Sequence, residues 1–315
     1  MKKIQKLFLI LGMLCCVLPF AGMAFRMTTE STENRQLSSF PSLRTEEGAW
    51  NRDFFAGFET WFTEHFAFRN ELVYADAMVQ RTLFHESSEE RVIAGKDGWL
   101  YYTTTLPDYL GTNALSDRNL YNLVHNLCLT QRYVEERGSR LLLVVPPNKN
   151  TLYGENMPYY DSLIVDPRHN WDRLCPLLEE RGLPFVDLTA LFREQQETLY
   201  LKRDSHWNGK GAILAYNGIM DELEHPHRTY LDVPVRREKS ADGDLNRMLF
   251  TLYGEKELEY TYEIPQAFQY DREGATVEDA WIGTTAEAGE GKLLMFRDSF
   301  GNTLIPLMAN QFAQA

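Results

Sequence analysis

Leu7–Phe25 is an uncharged run of 19 residues, led in by Lys2, Lys3 and Lys6. Basic residues followed by such a run make either a secretion signal or an uncleaved membrane anchor. The run is long for a signal and just long enough to cross a bilayer. The pattern predicts a signal-anchor over residues 1–25, with the body outside the cytoplasmic membrane. Secretion after cleavage at Gly22-Met23-Ala24 is the alternative. Residues 26–43 are polar and read as a tether, closed by Phe40-Pro41. Residues 44–315 form the globular body.

Within the body the apolar spacing changes twice. Phe54, Phe55, Phe58, Trp61, Phe62, Phe66 and Phe68 recur every three to four residues, predicting an aromatic helix face packed as core. Val92–Ala94 and Trp99–Tyr102 flank Lys96-Asp97-Gly98 and predict a hairpin. Leu115–Gly138 is helical, with Ser116 as N-cap and Gly138 as stop. Three continuous apolar runs then read as strands buried on both faces: 140–146, 184–188 and 292–296. Helices are predicted over 168–181, 189–196 and 209–224, and a last one from Ser299 through Phe312. Residues 231–282 are the least regular, with one strand-like patch at Leu258–Ile264. Alternating strands and helices indicate an α/β domain with a mainly parallel sheet.

Composition narrows the class. Hydrophobic residues make up 44% of the chain, enough for a sizeable core. The net charge of −13 argues against nucleic acid as a partner. Cys128 and Cys175 read as two buried free thiols, with a disulfide between them as the alternative. No cysteine–histidine cluster has zinc-ligand spacing, and no metal or cofactor is expected. His225 and His227 flank Pro226 and read as solvated.

Two stretches carry candidate chemistry. Asp204-Ser205-His206-Trp207 precedes a helix for which Asn208 is the predicted cap. A spacing of two puts an acid and a histidine on one side of an extended segment. Such a pair supplies a general base and the group that fixes its tautomer. Far downstream, Arg297-Asp298-Ser299-Phe300 lies between an apolar run and a helix. A serine there has its hydroxyl beside free helix N–H groups that can hold an oxyanion. The bland alternatives are that Asp298 or Ser299 only caps its helix, and that Asp204 caps while His206 is structural. Asn148 and Lys149 fall at the end of a predicted strand, where open α/β sheets bind ligands.

The motif Asp204-x-His206-Trp207-x-x-x-Gly211, followed far downstream by Asp298-Ser299-Phe300, resembles the SGNH hydrolase-like domain of the alginate O-acetyltransferase family of AlgX/AlgJ type, also called DHHW proteins. Glu33-Asn34-Arg35, Phe62–Arg69, Val92–Leu100, Val145–Pro158 and Gly243-Asp244-Leu245 resemble further family motifs, in the family's order. The resemblance implies a three-layer αβα fold whose Asp–His…Ser order is permuted relative to ordinary SGNH esterases. It implies a serine acyl-enzyme, with Ser299 as nucleophile, His206 as base and Asp204 as its orienter. The helix N-terminal N–H groups at Ser299–Phe300 are the expected oxyanion donors, with Asn148 as a second, and Lys149, Arg297 and Trp207 are the expected substrate contacts. Arg297 stands where the family usually has glycine, and pairing with an anionic substrate is the role expected of it. Family members usually continue past the nucleophile helix, so a C-terminally shortened domain is expected. The implied activity is cell-surface polysaccharide O-acetylation, with a membrane-bound O-acyltransferase supplying the acetyl group. An esterase or deacetylase using the same triad, and a non-catalytic carbohydrate-binding scaffold in polymer export, are the alternatives.

Overall fold

The structure, a computed structural model, describes residues 3–25, 37–84, 86–250 and 254–315. Most of the expected tether, with Glu33-Asn34-Arg35, lies outside the described residues, as does His85. The chain divides into two compact units: 1–92 with 244–255, and 93–243 with 256–315.

In the first unit, helix α1 (Lys3–Gly22) is long and apolar enough to cross a membrane. Helix α2 (Phe54–His65) carries most of the aromatic face, and a second helix, α3 (Arg69–Val79), begins at Arg69-Asn70, the second start that the sequence offers. The break is Phe68, whose φ of 64° no right-handed helix accommodates. The aromatic face is less buried than expected. Phe55 is 80% exposed, while Phe58 stacks on Phe62 and lies tilted against Trp61. These rings cover one another as much as they are covered. Glu64, the one buried acid among the described residues of the unit, accepts the Ser38 N–H at 2.6 Å.

The second unit opens with β1 (Val92–Ala94) and β2 (Leu100–Tyr102), a hairpin whose turn puts Asp97 and Gly98 at positive φ. Helix α4 (Leu106–Leu110) precedes α5 (Asp117–Glu135), where Ser116 accepts the Asn119 N–H and Gly138 ends the run at φ 72°. Strand β3 (Leu143–Val144) leads through Pro146-Pro147 into α6 (Lys149–Tyr153). Helix α7 (Asn170–Glu180), strand β4 (Phe185–Val186) and helix α8 (Leu188–Arg193) follow. Strands β3 and β4 pair in parallel, Leu143 with Phe185 and Val144 with Val186. Prolines 146, 147 and 184 bracket this ladder and keep it short, because proline has no N–H to donate.

Helix α9 (Gly209–Glu222) is the centre of the unit. Ala212, Ile213, Ala215, Tyr216, Ile219 and Met220 are all buried on it. It packs against β4 and α8, and against β6 and α11 introduced below. Strand β5 (Val235–Ala241) is followed by α10 (Asp244–Leu249), which belongs to the first unit. Strand β6 (Glu257–Tyr262) returns antiparallel to β5, with a bulge between Lys239 and Ala241. Strands β7 (Gln269–Tyr270) and β8 (Thr284–Thr285) pair antiparallel, and α11 (Gly301–Ala309) closes the order.

Three expectations need correction. Residues 292–296 form no buried strand: Leu294 and Phe296 are 71% and 91% exposed. Lys292 bridges Gln314 and the Leu293 N–H donates to Gln314 O at 2.9 Å, but no ladder extends this contact through Leu294–Phe296. An apolar run marks a strand only where a partner satisfies its backbone. Cys128 and Cys175 are free thiols, as expected, but half-buried rather than buried. Burial still pushes the Cys175 thiol up to about 12, so it stays protonated at neutral pH. His227 is not solvated: its ring is 8% exposed, with Nε2 3.2 Å from Asn217 Oδ1.

Asn208 carries the start of α9. Its Oδ1 accepts the N–H groups of Lys210 (3.0 Å) and Gly211 (3.1 Å), and its Nδ2 donates to Thr198 O at 2.8 Å. It is 4% exposed, so losing the side chain strands buried partners. Asn208→Ala is expected to destabilise the protein by about 2–3 kcal/mol, read as a shift in the urea midpoint without a change in slope.

Candidate active site

The segment from Leu199 to Asn208 doubles back on itself. Tyr200 and Trp207 form an antiparallel bridge, and Asn208 N donates to Leu199 O at 2.8 Å. Asp204, Ser205 and His206 occupy the tip. Asp204 Oδ1 accepts the His206 N–H at 2.9 Å, the short-range turn aspartate favours. The same oxygen lies 2.7 Å from His206 Nδ1. An acceptor at Nδ1 places the ring proton there and leaves Nε2 as a base. His206 Nε2 is 2.8 Å from Ser299 Oγ. The ring rests against Phe300, with centroids 4.8 Å apart.

Ser299 is exposed and lies in a turn before α11, not in its first helical residue. Asp298 organises this turn: its Oδ1 accepts Phe300 N at 3.0 Å and its carbonyl accepts Gly301 N at 3.1 Å. The Phe300 N–H, expected as an oxyanion donor, is therefore already committed. Among the described residues the Ser299 N–H has no partner, which leaves it as the open donor of the turn. Sequence spacing pointed to the helix terminus but not to which of its N–H groups the preceding aspartate would occupy.

Trp207 joins the two stretches. It is 2% exposed, its indole Nε1 donates to Thr303 Oγ1 at 2.7 Å, and its ring meets Phe300 edge-on at 4.9 Å. It faces α11 and the core rather than a ligand. Arg297 also turns away from Ser299. Its guanidinium donates to Val277 O (2.8 Å), Asp279 O (3.0 Å) and the Asn302 side chain. The role expected of it, pairing with an anionic substrate, is filled by these internal acceptors.

Asn148 and Lys149 both border a cavity of about 210 Å³ whose other walls include Tyr101, Tyr102, Ser205, His206 and Ser299. Asn148 Nδ2 donates to Asp108 Oδ2 at 3.3 Å, which uses one of its two amide hydrogens. Lys149 is 5% exposed, and its Nζ donates to the carbonyls of Leu201 (3.2 Å), Lys202 (2.9 Å) and Asp204 (2.5 Å). Three carbonyls match three ammonium hydrogens, so Lys149 supports the loop rather than reaching for substrate. A larger groove of about 940 Å³, lined by Trp281, Leu294 and Phe296 among others, contains none of Asp204, His206 or Ser299.

Three groups near the site left no mark in the sequence pattern. Glu257 accepts Lys202 N (2.7 Å) and Arg203 N (2.5 Å), and Glu259 accepts Gly209 N (2.9 Å). Burial raises the Glu259 carboxyl above its ordinary value. Asp108, which holds Asn148, is itself held by His169, whose Nδ1 lies 3.3 Å from Asp108 Oδ2. Glycine serves the loop twice. A Cβ on Gly209 would lie 1.8 Å from Tyr260 O, and one on Gly243 2.1 Å from Arg203 O. No side chain fits at either position.

A family model described as the SGNH hydrolase-like domain of acetyltransferase AlgX matches residues 92–287, more than half of the chain. The matched stretch holds Asp204 and His206 and stops short of Ser299. The chain is 28% identical over 203 residues to a probable alginate O-acetylase AlgJ of Pseudomonas aeruginosa, covering 60% of this chain and 48% of that protein. It is 28% identical over 190 residues to the probable alginate O-acetylase AlgJ of Pseudomonas syringae, covering 58% and 45%. The chain thus spans about half the length of these curated relatives. A structure of Bacillus cereus PatB1 superposes with a TM-score of 0.50 at 16% identity, covering 71% of this chain and 83% of that one, a likeness of fold.

The Asp108–His169 pair sets a pH window. The hydrogen bond with His169 is the main cause that lowers Asp108 below its ordinary 3.8, and the same bond raises His169 above 6.5. The raised histidine stabilises the fold below pH 6.5, and that contribution is lost as pH rises through its folded value. The lowered aspartate stabilises above pH 3.8, and that contribution is lost as pH falls through its own. The melting-temperature gap between wild type and His169→Gln is therefore expected to be widest between pH 3.8 and 6.5 and to narrow towards pH 9.

Proposed function

The chain belongs to the AlgX/AlgJ-type family of SGNH hydrolase-like domains, and on that footing we propose that it is an O-acetyltransferase acting on a cell-surface polysaccharide through an acetyl-Ser299 intermediate. The observation that carries this is the relay itself: Asp204 Oδ1 at 2.7 Å from His206 Nδ1, and His206 Nε2 at 2.8 Å from Ser299 Oγ. A serine hydroxyl is a weak nucleophile until a positioned base takes its proton.

In the first half-reaction Ser299 Oγ attacks the acetyl carbonyl while His206 Nε2 takes its proton. Asp204 stabilises the resulting imidazolium without being protonated. The oxyanion is received by the Ser299 N–H and by the second amide hydrogen of Asn148. The tetrahedral intermediate collapses, His206 returns the proton to the leaving group, and acetyl-Ser299 remains. In the second half-reaction a sugar hydroxyl gives its proton to His206 and attacks the ester. Ser299 leaves as alkoxide and recovers that proton. The chemistry requires no metal.

This reading keeps the three-layer αβα arrangement and the permuted Asp–His…Ser order as features of the domain; of the expected mainly parallel sheet, the β3–β4 pair is the parallel part among the described residues. Helix α1 supports an anchor in the cytoplasmic membrane with the catalytic unit outside it. There a membrane-bound O-acyltransferase would deliver the acetyl group. The names borne by the AlgJ relatives make an alginate-like exopolysaccharide the first acceptor class to try. Hydrolysis is the second reading, and the exposure of Ser299 favours it, since water reaches an exposed acyl-enzyme as readily as a sugar does. The 2.8 Å Oγ–Nε2 separation speaks against a non-catalytic scaffold.

Ser299→Ala and His206→Ala are expected to lower turnover of an aryl acetate by about 10³-fold or more while leaving circular dichroism and melting temperature unchanged. Full activity in a folded Ser299→Ala protein would overturn the mechanism. Product analysis with acetyl ester alone and with added oligouronate separates the two outcomes: O-acetylated sugar marks transfer, and free acetate unaffected by sugar marks hydrolysis.

A further inference from the structure

The loop that carries Asp204 and His206 has its main chain held from two buried charges of opposite sign. Lys149, on α6, takes the carbonyls of Leu201, Lys202 and Asp204. Glu257, on β6 and 9% exposed, takes the N–H groups of Lys202 and Arg203, one on each carboxylate oxygen. Two residues along the same strand, and so on the same face, Glu259 takes the N–H of Gly209 beyond the histidine. The ammonium sits over Trp99 and Tyr101, 5.8 Å and 5.3 Å from their ring centroids, out of bulk water.

Burying an ammonium and a carboxylate is costly unless every hydrogen and lone pair they present is matched. Here both charges are matched to the peptide groups of one short segment. Peptide groups accept at the carbonyl and donate at the nitrogen. A cation gripping the carbonyls and an anion gripping the N–H groups therefore polarise the same peptides in the same sense. The segment between Leu201 and Asp204 has little freedom left, and Asp204 is the residue that sets the His206 ring.

We infer that Lys149 and Glu257 are positioning residues for the proposed acyl transfer, acting through the main chain at 201–204 to fix Asp204 and hence the His206 Nε2–Ser299 Oγ distance. The inference rests on the acyl-enzyme reading for its effect on rate, but the positioning itself is readable without turnover. A misplacement of the base by about 1 Å costs on the order of a hundredfold in rate.

The test uses the full-length protein, with Glu257→Gln and Lys149→Met. Glu257→Gln keeps the shape and one acceptor, whereas Lys149→Met keeps the stem and removes every donor. For an aryl acetate, kcat is expected to fall about tenfold in Glu257→Gln and about a hundredfold in Lys149→Met, with KM within about twofold of wild type. The low-field proton resonance of the His206 Nδ1–H, bonded to Asp204, is expected in wild type and in Ser299→Ala, and to broaden or move upfield in both clamp variants. Wild-type kcat with an unchanged resonance in folded clamp variants would overturn the inference. If Lys149→Met does not fold, Glu257→Gln decides alone. Activity surviving in Ser299→Ala would remove the acyl-enzyme reading, and the resonance in the clamp variants would still decide the clamp.

Discussion

Ser299 and His206 are 93 residues apart in the chain and 2.8 Å apart at the hydrogen bond between them. A bond of that kind weakens steeply over a few tenths of an ångström, so two separate backbones have to be held in fixed relation. Three contacts do this. Trp207, next to the histidine, reaches across to Thr303, in the first turn of α11 and four residues past the serine. Phe300, next to the serine, fills the space between the His206 and Trp207 rings. Beneath both, α9 and α11 share one apolar core in which Trp207, Leu304, Leu307 and Met308 are buried together. The site stands on that core, and the loop geometry is the last refinement of it.

Much of this was legible from residue order. The spacing of Asp204 and His206 did put both groups on one side, and Asn208 did start the following helix. Ser116 and Gly138 bounded α5 as capping chemistry dictates. The family resemblance, read from short motifs in order, is borne out by the match over 92–287. These features share a cause: each depends on side chains within a few residues of one another, so local pattern carries the information.

What stayed hidden depends on contacts distant in sequence. Nothing in Pro146-Pro147-Asn148-Lys149 says that the lysine will find three carbonyls more than fifty residues away, because a carbonyl looks the same in every residue. Strand β5 was invisible for a different reason. Arg236, Arg237, Glu238, Lys239 and Ser240 are all exposed, so no alternation betrays the ladder they form with β6. The run at 292–296 misled in the opposite direction, since its apolar residues predict burial and several are exposed. Arg297, standing where the family usually has glycine, suggests a partner for an anionic substrate. Its partners instead lie some twenty residues back, at Val277 and Asp279, in a region with no regular pattern.

The hydrogen bonds along the Leu199–Gly209 main chain have a bearing on timing. A surface loop with so many of its amides and carbonyls engaged does not need to close over an incoming molecule, and its ordering entropy is settled when the chain folds. On the acyl-transfer reading proposed above, selection between competing acceptors would then not come from a conformational step that only the right one triggers. It would come from occupancy: whichever hydroxyl resides longest beside the ester would be the one that reacts. For such an arrangement the local concentration of acceptor at the mouth of the cavity matters more than any shape the loop could adopt.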